Sequence, residues 1–136
     1  MNTAEEIRAT LDDTSVWFVV GLGDNPGRAA YGVARVLQQH GKRIVPIHPR
    51  AEVVHGEQGY ATIAEAVAAV GAPDVVDCFV NSRRVGQFAD EAIAAGAKAV
   101  WFQLDVIDND AAARVEAAGI TMIVDRCPAI EYSRIG

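Results

Sequence analysis

From residue 16 onward, short and almost wholly apolar runs rich in β-branched residues alternate strictly with segments whose apolar positions recur at helical spacing. Strands that are apolar on both faces suit the middle of a sheet covered by helices on both sides. Strict alternation requires crossover connections between parallel strands, and such crossovers are right-handed. The expected fold is α/β, a doubly wound parallel sheet of about five strands between two helical layers, α/β/α.

The expected elements are helices over residues 3–11, 26–40, 62–70, 83–95 and 110–118, and strands over 16–21, 44–47, 74–80, 99–103 and 120–124. The second helix rests on Ala30, Val33, Ala34 and Leu37, which fall on one apolar face, with Gly41 as its stop. Pro46 and Pro49 near the end of the second strand mark an edge or a ligand-facing turn. No repeat, linker or low-complexity tract interrupts the pattern, so residues 1–136 are expected to be one domain. That length allows a real core but not a nucleotide module plus a separate catalytic domain.

A formal charge of -6 excludes a general nucleic-acid binder, which needs a surplus of Lys and Arg facing phosphates. Any anion must be held locally. Two cysteines, Cys78 and Cys127, are too few for a disulfide framework and lack zinc spacing, which fits a reducing, cytoplasmic setting. The opening MNTAEEIRATLDD lacks the basic and apolar regions of a signal peptide, and no apolar stretch is long enough to cross a bilayer. The expectation is a soluble protein with no membrane partner.

The stretch VWFVVGLGDNPGR carries the strongest local signal. Glycines between a buried strand and a helix allow a tight turn and let backbone amides approach a phosphate at the positive helix end. Gly21, Gly23 and Gly27 place three residues between the last pair, where the dinucleotide fingerprint has two. Asn25 is the expected N-cap and Pro26 the first helical residue. Asp24 would repel a pyrophosphate and Arg28 would attract it; the other reading is a plain strand-to-helix turn. The second strand ends in Ile47, His48, Pro49 and Arg50, without the carboxylate that an NAD site uses for ribose hydroxyls. Arg50 suits a phosphate on that ribose, as in NADP or coenzyme A, or else is a solvated loop residue.

The segments GLGDNPGRAAYGVARVLQQHGKRIVPIHP, DVVDCFVNSRRV, EAIAAGAKAVWFQ and AAGITMIVDRCPAIEYSR resemble, in order and spacing, the small stand-alone CoA-binding proteins related to the N-terminal domain of the succinyl-CoA synthetase alpha subunit. The resemblance implies a Rossmann-like domain holding coenzyme A, or an acyl-CoA, across the carboxyl ends of its strands. It places the phosphates against Gly21, Leu22, Gly23, Asp24, Asn25, Arg28 and Ala30, and the phosphoadenosine near His48, Pro49 and Arg50. Val80, Asn81, Ser82, Trp101, Phe102 and Gln103 match the segments lining the rest of the path. The family pattern usually has Ser at positions 23 and 30, Asn at 48 and Gly at 105, where this chain has Gly23, Ala30, His48 and Asp105. Each lost hydroxyl forgoes a hydrogen bond of about 0.5–1.5 kcal/mol, and Asp105 adds negative charge, so weaker binding or a different acyl form is expected.

Chemistry-bearing residues are sparse. His40, His48 and His55 have no metal-motif spacing, and neither HExxH nor GxSxG occurs. Asn81 and Ser82 form a natural N-cap pair, after which Arg83 or Arg84 reaches a phosphate or both stay in solvent. Trp101 and Phe102 are successive strand residues on opposite faces, so at most one lines a site. The cluster Asp108, Asn109 and Asp110 reads as a helix cap, without the spacing of a calcium loop. Cys78 reads as core, whereas Cys127 follows the fifth strand at the ligand edge and either packs or meets a pantetheine thiol. The expected function is non-catalytic binding of a small nucleotide ligand, coenzyme A or acyl-CoA, with a homo-oligomer or an enzyme as possible partner and no metal. The alternatives are an NADP-dependent oxidoreductase and the cofactor-binding subunit of a CoA ligase or transferase.

Overall fold

A computed structural model describes residues 1–135. Its elements are α1 (Ala4–Asp12), β1 (Val16–Val20), α2 (Ala29–Gln39), β2 (Arg43–Ile47), α3 (Ile63–Val70), β3 (Val75–Cys78), α4 (Val85–Ala94), β4 (Ala99–Phe102), α5 (Asn109–Ala117), β5 (Thr121–Ile123) and α6 (Pro128–Ile135). The five strands form one parallel sheet in the order β2-β1-β3-β4-β5. This is the doubly wound, Rossmann-like α/β fold that the alternation predicts. The order reverses at β1, which pairs with β2 on one side and β3 on the other, so Val20 lies opposite both Ile47 and Cys78. A crevice opens beyond the carboxyl ends of strands at such a reversal.

Period-two alternation sends successive strand residues to opposite helical layers. Phe18, Val20, Val45, Val76, Val100 and Phe102 pack with residues of α3, α4 and α5 such as Ile63, Ala89 and Val115. Trp17, Val19, Ile44, Val75, Trp101 and Ile123 pack with Ile7 and Leu11 of α1 and with Ala34 and Leu37 of α2. The two indoles meet at 5.7 Å between ring centroids and reach polar partners at their rims, Trp17 Nε1 donating to Thr14 Oγ1 and Trp101 Nε1 to the Arg126 carbonyl. Pro46, which has no N–H to give a ladder, sits in the edge strand β2.

Two caps differ from expectation. α2 begins at Ala29, with Arg28 as an N-cap that makes no side-chain hydrogen bond. Asn25 closes a local turn instead: its Oδ1 accepts from Gly27 N at 2.9 Å and its carbonyl from Arg28 N at 3.1 Å. The short Asn side chain bonds its own following backbone more readily than it caps a helix across a proline. At the third junction, Asn81 Oδ1 accepts from both Arg83 N and Arg84 N, and α4 starts only at Val85. Ser82 is not part of that cap. Its Oγ donates to the Asp105 carbonyl and accepts from Ile107 N, fastening the loop after β4. Asp105 in that loop has φ +65°, the left-handed region where a glycine is unstrained, which accounts for Gly as the usual residue there.

Asp108 caps α5 as expected, its Oδ1 accepting from Ala111 N at 3.0 Å. The α6 helix lies beyond the expected elements. It lays Tyr132 and Ile135 onto the layer of α1 and α2, with Tyr132 Oη donating to the Leu11 carbonyl.

Candidate functional site

The end of the sheet at the strand reversal holds a cavity of about 1040 Å³. Of the expected site residues, Gly21, Gly23, Asp24, Asn25, Arg28 and Ala30 line it from the β1–α2 junction, and His48, Pro49 and Arg50 from the end of β2. Val80, Asn81 and Gln103 line it beyond β3 and β4. Leu22, Ser82, Trp101 and Phe102 do not. Leu22, Trp101 and Phe102 are wholly buried, and Ser82 is engaged with the 105–107 loop. Trp101 and Phe102 are the last two residues of β4, where each face is already covered by a helical layer; the wall becomes accessible only one residue later, at Gln103.

The glycines have separate reasons. Gly21 has φ +92°, donates its N–H to the Ile47 carbonyl at 2.8 Å, and would bring a Cβ within 2.4 Å of the Phe79 carbonyl oxygen. It is where the chain leaves β1 between the ends of β2 and β3. A Cβ on Gly23 would meet the His48 imidazole and Glu52 Oε1, each at 3.3 Å. Two departures from the family pattern therefore touch: the larger ring at position 48 takes room beside the glycine at position 23.

Residues 47–50 bring no carboxylate to the end of β2, but Glu52, just beyond them, brings one to the cavity. The chain turns back after β2, Ala51 N donating to the His48 carbonyl at 2.8 Å with Ala51 at φ +49°, and Arg50 N donating to His48 Nδ1 at 3.2 Å. That reversal delivers Glu52 Oε1 to the glycine loop, where it accepts from Asp24 N at 3.2 Å. No local pattern in the irregular stretch after Pro49 announces it.

The opposite wall comes from α4 and its N-cap, with Arg84, Gln87, Phe88 and Glu91; the sequence offered Arg83 or Arg84 as reaching a phosphate, and of these Arg84 lines the cavity, whereas Gln87, Phe88 and Glu91 were not anticipated. Arg84 stands over the Phe88 ring, 5.9 Å from its centroid. The charged lining is balanced: Arg28, Arg50 and Arg84 face Asp24, Glu52 and Glu91. None of these three guanidiniums takes part in a salt bridge among the described residues. Unpaired arginines around a loop of backbone amides suit phosphate recognition.

A buried polar pair adjoins the cavity. Asp77 in β3 is completely buried and accepts from Gln103 Nε2 through Oδ1, while its Oδ2 has no partner among the described residues. Burial pushes the Asp77 carboxyl up to about 8, and the hydrogen bond from Gln103 only partly opposes that. Gln103 itself lines the cavity, so this polarity reaches the ligand-facing wall. Cys127 lines the same wall and is half-buried. Cys78 is core, its thiol held well above the usual range by burial first and then by Asp77 and Glu91.

Of the histidines, His48 alone lines the cavity; His55 contacts the Tyr31 carbonyl and His40 stacks on Tyr132. Among the described residues no group of three His, Cys, Asp or Glu could hold a metal ion, and no helix is long and apolar enough to cross a membrane.

The model of a family described as a CoA binding domain matches residues 15–133. The chain belongs to this CoA-binding family. Similarity to YneT, an uncharacterized protein of Bacillus subtilis, is 26% identity over 128 residues, covering 94% of this chain and 93% of that protein. Among solved structures, a hypothetical protein from Pyrococcus horikoshii OT3 superposes with a TM-score of 0.90 at 31% identity, over 98% of this chain and 93% of the other. The protein Prb, described as PH1109 redesigned for binding, gives 0.91 at 32% identity over 99% and 93%. The family match spans the cavity lining from Val20 to Cys127, so the site just described lies wholly inside the segment that matches the family model.

Proposed function

We propose that the chain, acting as a single unit over residues 1–136, binds coenzyme A or an acyl-CoA in this cavity as a non-catalytic module. The supporting observation is one continuous cavity bounded at the strand reversal by Arg28 and Arg50, unpaired and cationic, and farther along by Phe88, Val106 and Leu104. A phosphorylated adenosine needs the former and a pantetheine arm the latter. The residues present fit such a ligand: Gly23 has no side chain to crowd the loop beside His48 and Glu52. Coenzyme A would supply an activated thiol or thioester; this chain's part is grip. Gly23 admits the phosphates, Arg28 and Arg50 balance their charge, and Gln103 meets the amide-bearing arm. His48, with Nδ1 accepting from Arg50 N, shapes the adenosine end. No nucleophile with an adjoining base lines the cavity among the described residues, which favours binding over turnover.

Thermal unfolding with coenzyme A, dephospho-CoA, NAD and NADP in parallel tests the reading. Coenzyme A at a hundred times its Kd should stabilise the fold by about 2.7 kcal/mol, with dephospho-CoA well behind and NAD inert. A shift with NADP and none with coenzyme A would transfer the site to an oxidoreductase. Arg50→Ala should narrow the gap between coenzyme A and dephospho-CoA, and an unchanged gap would remove Arg50 from the phosphate.

Glu52 makes a separate expectation. Its carboxylate engages the Asp24 amide, on the loop that would face the ligand's phosphates. Glu52→Gln keeps the shape and removes the like charge, so coenzyme A should bind several-fold more tightly, on the order of 1 kcal/mol. Titration calorimetry on both proteins decides it: weaker binding by the variant would make Glu52 a ligand contact, not a competitor.

A further inference from the structure

We propose that Asp77 is a positioning residue for the ligand: it holds the Gln103 carboxamide with Nε2 turned inward, so that the wall at the end of β4 offers an acceptor and selects a ligand bringing an N–H donor there. The inference deepens the CoA reading and rests on it. Asp77 pairs with Trp101 in the register of β3 and β4, and Gln103, two residues beyond Trp101, shares that face of the sheet. Gln103 N donates to the Cys78 carbonyl at 3.3 Å, which fixes its backbone beside the end of β3. Its Nε2 donates to Asp77 Oδ1, the one hydrogen bond that the Gln103 side chain makes among the described residues.

Burial locks this orientation. Asp77 is completely buried, and its Oδ2 already has no partner among the described residues. Turning Nε2 toward a ligand would leave Oδ1 bare as well, and a buried carboxyl with both oxygens unbonded is costly. Gln103 therefore lines the cavity with Oε1 as the group it can spare for a ligand. Because burial raises the Asp77 pKa to about 8, the carboxyl is neutral below that pH. Oδ1 then acts as a carbonyl acceptor, and no negative charge lies beneath the wall that a polyanionic ligand meets.

Strand order sets which part of the ligand meets this acceptor. Arg50 stands beyond β2, the glycine loop beyond β1, Asn81 beyond β3 and Gln103 beyond β4, all lining one cavity. β4 lies two strand spacings from β1, about 10 Å. With the phosphates at the glycine loop and the adenosine toward β2, only the arm on the far side of the phosphates reaches Gln103. A pantetheine arm carries two amide N–H groups, and one of them is the donor that Oε1 takes.

The test is calorimetry on the full chain with coenzyme A and with two analogues, each having one arm amide replaced by an ester. Wild type should bind one analogue about three- to tenfold more weakly than coenzyme A, the worth of a single hydrogen bond. Gln103→Met keeps the length, loses the amide, and should bind coenzyme A and that analogue alike. Asp77→Val puts an apolar β-branched residue in the buried strand, frees the amide, and should lose the discrimination too. Asp77→Asn keeps an acceptor and should restore it. Combining Asp77→Val with Gln103→Met should weaken coenzyme A no further than Gln103→Met alone. A merely structural Asp77 would lower affinity for coenzyme A and the analogue together and leave their ratio intact, which overturns the proposal. So would discrimination retained by Gln103→Met, or equal binding of all three ligands by wild type, outcomes that leave the CoA reading standing. No binding of coenzyme A by wild type would sink both. Thermal melts show which variants are folded, and Asp77→Ala replaces Asp77→Val in the comparison should the latter not fold.

Discussion

Gly21→Ala should destabilise the fold by about 3 kcal/mol or more and abolish the thermal response to coenzyme A. The residue holds φ +92°, where a side chain is strained, and strain of this kind costs roughly 1–3 kcal/mol by itself. The added Cβ would also fall 2.4 Å from the Phe79 carbonyl oxygen, a main-chain atom that cannot rotate away. Relief requires β1 and the segment after β3 to separate, and that separation would break the bond from Phe79 N to the Val20 carbonyl and disturb the mouth of the cavity. Gly32→Ala is the matched control. Gly32 is an exposed position inside α2 where a Cβ meets nothing within 4 Å, so alanine should stabilise by about 0.5–1 kcal/mol. Urea unfolding of the two variants compares them directly. Equal stability of Gly21→Ala and wild type would mean that the crossing of the chain between β2 and β3 is not the close approach described.

The sheet was legible because its information is repeated: the strands are largely apolar on both faces, and the helices that connect them show their own stripe or stop. Errors fell where one residue chooses between local partners. Asn25 had the sequence of an N-cap, yet its side chain closed a turn on Gly27, and α2 began at Ala29. Residues 128–135 gave no periodic signal of usable length, being only two turns, and α6 became visible only through its packing on α1 and α2.

For the site, contiguous residues were legible and the opposite wall was not. The glycine loop and the His48, Pro49 and Arg50 edge lie at ends of strands that the fold class itself puts beside one another. Phe88 and Glu91 enter only because the crossover lays α4 against the other side of the reversal, and Glu52 only because the chain doubles back at Ala51. Trp101 and Phe102 show the converse: an aromatic pair near a strand end invites a binding role, but both still lie within β4 and they complete the two cores. Asp77 carried a signal that went unread. A lone carboxylate within VVDCFV is conspicuous, since buried Asp is rare unless paired.

That carboxylate makes the stability of the protein fall as pH rises. Burial raises its folded-state pKa to about 8 from an ordinary value of 3.8, so between those limits the folded chain keeps a proton that the unfolded chain has released. Stability from this residue is fully present below the unfolded value and is lost progressively up to about pH 8, at about 1.4 kcal/mol for each pH unit in that window. Asp77→Asn retains an acceptor for Gln103 Nε2 and cannot ionise. The variant should therefore match or trail wild type near pH 4–5 and exceed it increasingly toward about pH 8, by several kcal/mol at the alkaline end. Urea midpoints across that range supply the measurement, with the difference between the two proteins isolating Asp77 from every other titrating group. Parallel curves would mean that the carboxylate is hydrated or paired in solution and carries no such penalty. A diverging pair would show more: the polar contact supporting Gln103 is maintained at the expense of stability, as is common for side chains that orient a ligand-facing group.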